Sequence, residues 1–130
     1  MKALVLLVVG LLAGAFCTAA LVNATGKRNA HERAVMVMLA RHTDALRDTE
    51  GDAACTGPEA RARLGQIAAA AREMDYAFAD WDVPAFARQT RQFQSITTAA
   101  ATSGVGDCPA LQRTLASFED GCRTCHREFR

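Results

Sequence analysis

Residues 107–130 read Asp107-Cys108-Pro109-Ala110-Leu111-Gln112-Arg113-Thr114-Leu115-Ala116-Ser117-Phe118-Glu119-Asp120-Gly121-Cys122-Arg123-Thr124-Cys125-His126-Arg127-Glu128-Phe129-Arg130. Asp107 followed two positions later by Pro109 is a helix opening: a short acidic side chain accepts from free backbone N–H groups, and proline in the first turn forfeits no hydrogen bond. Beyond it Leu111, Leu115, Phe118, Cys122, Cys125 and Phe129 recur at spacings of 4, 3, 4, 3 and 4. That is one face of a helix of 3.6-residue period, so the apolar face and the cysteine-bearing face coincide. His126 lies four residues after Cys122 and belongs to the same face.

Moving towards the N-terminus, punctuation divides the chain into three further helical stretches. The first runs from about Gly26 to Asp48, with Gly51 and Asp52 opening a loop. Thr56-Gly57-Pro58-Glu59 supplies a cap and a first-turn proline for the second, which extends to about Asp80. The third opens at Asp82-Val83-Pro84 and stops before Gly104. Each stretch is about 20 to 23 residues, roughly 30 to 35 Å long. Rods of equal length joined by short loops predict an all-α, up-down-up-down four-helix bundle. Its core draws on Leu64, Ile67, Ala68, Ala71, Met74 and Phe78 from the second helix, and on Phe86, Phe93, Ile96 and Ala100 from the third. On the first helix Val35, Leu39, His42 and Leu46 form the apolar stripe, with Met36 and Met38 on its two shoulders.

Cys122-Arg123-Thr124-Cys125-His126 is the attachment signature of a covalent c-type haem. Two thiols at this spacing meet the two vinyl groups on one edge of the ring, and the next side chain turns beneath it to bind iron. A Cys-x-x-Cys pair also serves zinc, but a zinc ribbon needs a second close pair, and Cys17, Cys55 and Cys108 stand singly. A thioredoxin-type pair follows a strand in a βαβ unit, and no strand-like run precedes this one. One haem c, held by Cys122 and Cys125 with His126 as proximal iron ligand, is therefore the predicted cofactor. With the ligating face on the core face, the haem is expected inside the bundle. Gly121 beside the motif either lets porphyrin and backbone approach closely or is a weak point near the helix end.

Export is the second prediction. Met1-Lys2 and an apolar run from Ala3 to Phe16 form a secretory signal, with cleavage after Ala19 or Ala24, giving a signal over 1–24 and a cytochrome domain over 25–130. Cys17 invites a lipoprotein assignment, which bulky Phe16 opposes. Left uncleaved, the twenty residues from Ala3 to Val22 are long enough to anchor the chain in a membrane. Removing Lys2 from the 15 basic residues balances the 14 acidic ones, and no nucleic-acid footprint remains. The expected location is periplasmic.

The position of the haem motif narrows the class, because only four residues follow His126 and any distal ligand must come from upstream. Here the chain resembles the cytochrome c-prime family, the class II cytochromes c, which carry Cys-x-x-Cys-His near the C-terminus of a four-helix bundle. The closing Cys122-to-Arg130 segment is similar to the family's, including the aromatic and arginine three and four residues after the histidine. Trp81-Asp82 followed by Phe86 is similar to the family's entry into its third helix. Arg33-Ala34-Val35-Met36-Val37-Met38-Leu39-Ala40-Arg41-His42 resembles its first-helix segment on the distal side of the haem. The resemblance implies Met36 as sixth ligand, Arg130 among the haem-contacting residues, and a capacity to pair as homodimers. Cys55 and Cys108, and the short first loop, depart from the basic pattern.

Two functions follow from the distal side. A methionine on iron, Met36 or Met38, makes a six-coordinate electron carrier for redox partner proteins. An apolar wall alone leaves a five-coordinate iron that binds small gases such as nitric oxide or carbon monoxide, as the resemblance implies. His42 and His31 are less suited ligands, since a histidine in an apolar stripe is more often a satisfied core residue. No distal base and arginine pair is assignable, so an enzyme is not expected. Membrane association is expected only with an uncleaved N-terminal segment. Bundle topology puts the first and third loops at one end, and in an oxidising compartment this predicts a Cys55–Cys108 disulfide.

Overall fold

The computed structural model describes the backbone of residues 2–129, and their side chains except at 2–7, 24, 25, 27–29 and 52. Arg130 and the side chains of Met1, Lys2 and Ala24, on which the haem contact, the signal start and one cleavage site were placed, lie outside the described residues. The described chain is all-helical: α1 (Lys2–Arg47), the short α2 (Asp52–Cys55), α3 (Pro58–Ala77), α4 (Pro84–Ser103) and α5 (Cys108–Phe129).

Local chemistry accounts for most of these bounds. Asp107 caps α5 by accepting from the Ala110 N–H at 2.6 Å. Proline stands in the first turn of both α3 and α4. Gly104 ends α4 with φ +66°, a conformation that β-carbon sterics deny to most residues. Four expectations are corrected. The cap of α3 is Gly57, with no side chain capping it, rather than Thr56, and α3 ends at Ala77, where the Phe78 N–H closes on the Met74 carbonyl. The first loop contains the four-residue helix α2. Finally, α1 begins at Lys2 instead of near Gly26, because the alanine- and leucine-rich run before it contains no proline to interrupt the hydrogen-bond ladder.

The chain divides into two compact units, Met1–Arg33 and Ala34–Arg130. In the first, the apolar side chains Val8, Leu11, Leu12, Phe16, Leu21 and Val22 are exposed. Among the described residues no helix is long and apolar enough to cross a membrane.

The second unit holds the core. Helix α3 packs against α4, α4 against α5, and α2 touches both α3 and α5. Leu46, Leu64, Ile67, Leu111, Leu115 and Phe118 are fully buried at its centre, and α1 contributes Val35 and Leu39 as well as Leu46. Gln94 fastens α4 to α3 by donating to the Ala71 carbonyl at 3.1 Å and to Asp75 Oδ1 at 2.9 Å. Trp81, Phe78 and Phe86 form an edge-and-tilt aromatic cluster that Phe129 joins from α5, its ring centroid 5.4 Å from that of Phe86. Cys55 and Cys108 are disulfide-bonded, their Cα atoms 5.2 Å apart, tying the residue at the end of α2 to the first residue of α5.

Candidate functional site

The cysteine and histidine residues singled out in the sequence stand on the last two turns of α5, where the apolar stripe changes character. Phe118 is buried, but Cys122 and His126 are exposed and Cys125 and Phe129 only half-buried. The motif therefore stands at the edge of the core, with Cys125 and Phe129 packed against it. The reason is in the neighbours. The upper half of the α5 face meets α4, α2 and the disulfide, whereas alongside the motif α1 presents Met36, Leu39 and Ala40 across an open groove.

Met36, Leu39, Met74, Thr90, Phe93, Cys122, Cys125 and His126 line one small cavity of about 30 Å³, together with Gln89 and Gly121. It opens beside a groove of about 330 Å³, and Met36, Leu39, Phe93, Cys122 and His126 border both. At the far end of the groove the Arg47 guanidinium donates to Glu119 across the α1–α5 gap and to Asp44 Oδ1 at 2.7 Å. Four of the site residues read from the sequence, Met36, Cys122, Cys125 and His126, are thus brought around a single cavity. Met38 is not among them. It is exposed, and lines a separate groove with Arg41, His42, Glu59 and Arg63. His42 belongs to that groove too, and His31 lies in the other unit.

Cys122 and Cys125 are free thiols. Desolvation is the leading cause pushing both up in pKa, even though Cys122 retains solvent access, and nearby acidic or thiol groups add to it: Cys125 and Glu119 for Cys122, Glu128 for Cys125. Both sulfurs are consequently protonated near neutral pH. His42 shifts the other way, below its ordinary 6.5, because burial and then Arg63 and Arg41 disfavour its cation. Among the described residues, no three histidine, cysteine or acidic side chains converge as a protein-built metal cage requires.

Gly121 has a structural neighbour that the sequence does not disclose. A β-carbon there would meet Phe93 Cδ2 at 3.1 Å, so the missing side chain makes room for the Phe93 ring, on the partition between the cavity and an outer hollow bounded by Gln92, Ile96, Ser117 and Thr124. Sequence reasoning also passed over Thr90, which is 3% exposed and whose hydroxyl has no partner. Its only sequence signal is a polar residue three positions from Phe93 on an apolar face. Comparison of the chain with protein-family models, with curated proteins and with solved structures finds no match.

Proposed function

We propose that the chain is a c-type monohaem cytochrome that carries electrons, exported to the periplasm and folded as an up-down-up-down bundle of α1, α3, α4 and α5. Cys122 and Cys125 would hold the haem, and His126 and Met36 would be its iron ligands. One observation carries the proposal: the two thiols, the imidazole and a thioether from another helix border the same apolar cavity. The donor set fits the group, since sulfur and imidazole are iron ligands and the remaining wall is Leu39, Met74 and Phe93. A porphyrin is larger than the enclosed cavity and would occupy the adjoining groove as well. The alternating topology is supported by the disulfide, which puts the starts of α3 and α5 at one end.

When bound, the haem exchanges one electron between ferrous and ferric iron. The residues of the chain govern how easily. Cys122 and Cys125, both free thiols, would supply the sulfurs of the two thioether links. Leu39, Met74 and Phe93 exclude water, which limits the solvent rearrangement accompanying a change of iron charge. Met36, a neutral soft donor, favours the ferrous state and raises the potential.

The test is a spectrum and a mass. Protein from a haem-maturing host should gain the mass of one haem and show a sharp low-spin ferrous α band. Met36→Ala should convert the iron to high spin and lower its potential. Conversion in Met38→Ala instead would reassign the ligand. High-spin iron in the unmutated protein that binds carbon monoxide would move the function to gas binding, and the absence of covalent haem would overturn the assignment altogether.

A further inference from the structure

We infer that the groove between α1 and α3, on the side of α1 away from the thiols, is a binding site for a small oxyanion, a phosphate or a phosphomonoester. The site stands apart from the haem assignment. Its walls include Met38, Arg41 and His42 from α1 and Glu59, Arg63 and Gln66 from α3, around a volume of about 440 Å³. Two of these six are guanidiniums. Arg63 donates through Nε and Nη2 to Glu59 Oε1, at 3.3 and 2.8 Å, which orients the fork and leaves Nη1 uncommitted. Arg41 forms no ion pair among the described residues. With one carboxylate against two arginines, the groove holds an excess of positive charge. His42 registers that excess: burial first, then Arg63 and Arg41, keep its pKa below the ordinary 6.5. Its Nδ1 is closed off from solvent and has no partner, so Nε2 is the nitrogen left to meet the groove.

A metal cation is the competing occupant, since Met38 and His42 are one helical turn apart and Glu59 lines the same groove. Charge decides against it. Glu59 is already held by Arg63, and a cation would lie beside two like charges. An oxyanion meets the opposite balance. It offers acceptors to Arg41, to Nη1 of Arg63, to an Nε2–H of His42 and to the Gln66 amide, and guanidinium-to-phosphate bonds are charge-assisted and can be bidentate. The groove exceeds a bare phosphate in size, so an organic substituent has room beside it. By bridging Arg41 and Arg63, the anion ties α1 to α3 where their charges otherwise repel.

The experiment follows the three histidine ring resonances of the full-length protein by NMR as sodium phosphate is added, with ionic strength held constant by sodium chloride. The His42 resonance should move and saturate, while those of His31 and His126 stay in place. Bound phosphate should also raise the His42 pKa, because the anion offsets the guanidinium charges. Arg41→Gln, on an exposed side chain, should weaken binding about tenfold through the loss of one charge-assisted contact. Arg113→Gln, an exposed arginine on α5, should leave it unchanged. Tighter binding of glycerol 3-phosphate than of phosphate would make the ligand an ester, and equal binding the free ion. A His42 resonance that drifts without saturating, or that responds equally in Arg41→Gln, overturns the inference. So does a response to zinc chloride with none to phosphate, because the groove would then be a cation site.

Discussion

In the first half of α5, Leu111, Leu115 and Phe118 are between 0 and 2% exposed, and Cys108 is locked to Cys55. In the second half, continuing the same spacing, Cys122 and His126 face solvent and both cysteines remain thiols. One periodic pattern thus has two outcomes, decided by what the neighbouring helices supply. Around Phe118 the core closes with Phe93, whose ring centroid is 6.1 Å away, and with Leu46 and Leu64. Beside Cys122 the α1 side chains border a cavity and a groove. Periodicity specifies which face turns inward, while enclosure depends on how much side-chain volume the other elements bring to that level.

The sharpest way to break this contrast is to excavate the closed half. Phe118→Ala should cost about 3–5 kcal/mol in urea denaturation, through lost apolar transfer and an unfilled cavity. A loss under about 1 kcal/mol would mean that the closed half is as loosely filled as the open one. Next in size is the covalent tie. Replacing Cys55 and Cys108 together by alanine should lower stability by about 2–4 kcal/mol, since the bridge spans 53 positions and restricts the unfolded chain. The smallest effect is a pH dependence on the side of α1 away from the cavity. His42 is held below 6.5, so the folded state prefers its neutral form. Its contribution is fully present above the unfolded pKa and is lost as pH falls through the window beneath 6.5. The urea midpoint should therefore drop between pH 7.5 and 5, and less in His42→Gln, which removes the titrating ring from beside Arg41 and Arg63. An equal drop in both proteins would assign the acid sensitivity elsewhere.

Much of the fold was legible because it depends on local chemistry. Pro84, Gly104 and Asp107 mark where α4 starts, where it stops and where α5 starts, and the aromatic and aliphatic positions expected in the core are largely buried there. The pairing of Cys55 with Cys108 was legible from the ends at which the loops fall. The errors have physical causes too. Thr56 has the chemistry of a cap but stands one residue too early, and the apolar N-terminal run propagates α1 because nothing in it breaks a helix. The site was legible in part. Met36 and Met38 occupy opposite shoulders of one stripe, and only the placement of α5 tells which shoulder faces His126. Thr90 was illegible, because a hydroxyl's partner depends on tertiary packing and its letter reads as an outward position.

The contact between Gly121 and Phe93 makes one atom's absence into a dimension of the molecule. Phe93 stands between an inner chamber and an outer one, and Gly121 gives its ring the clearance to rest there. A methyl at 121 must displace the ring by a few tenths of an ångström. Tilted inward, the ring narrows the chamber beside His126; tilted outward, it widens that chamber. Residue 121 thus acts as a stop on a shutter, and a substitution far smaller than any ligand would reset the aperture without touching a sulfur or a nitrogen.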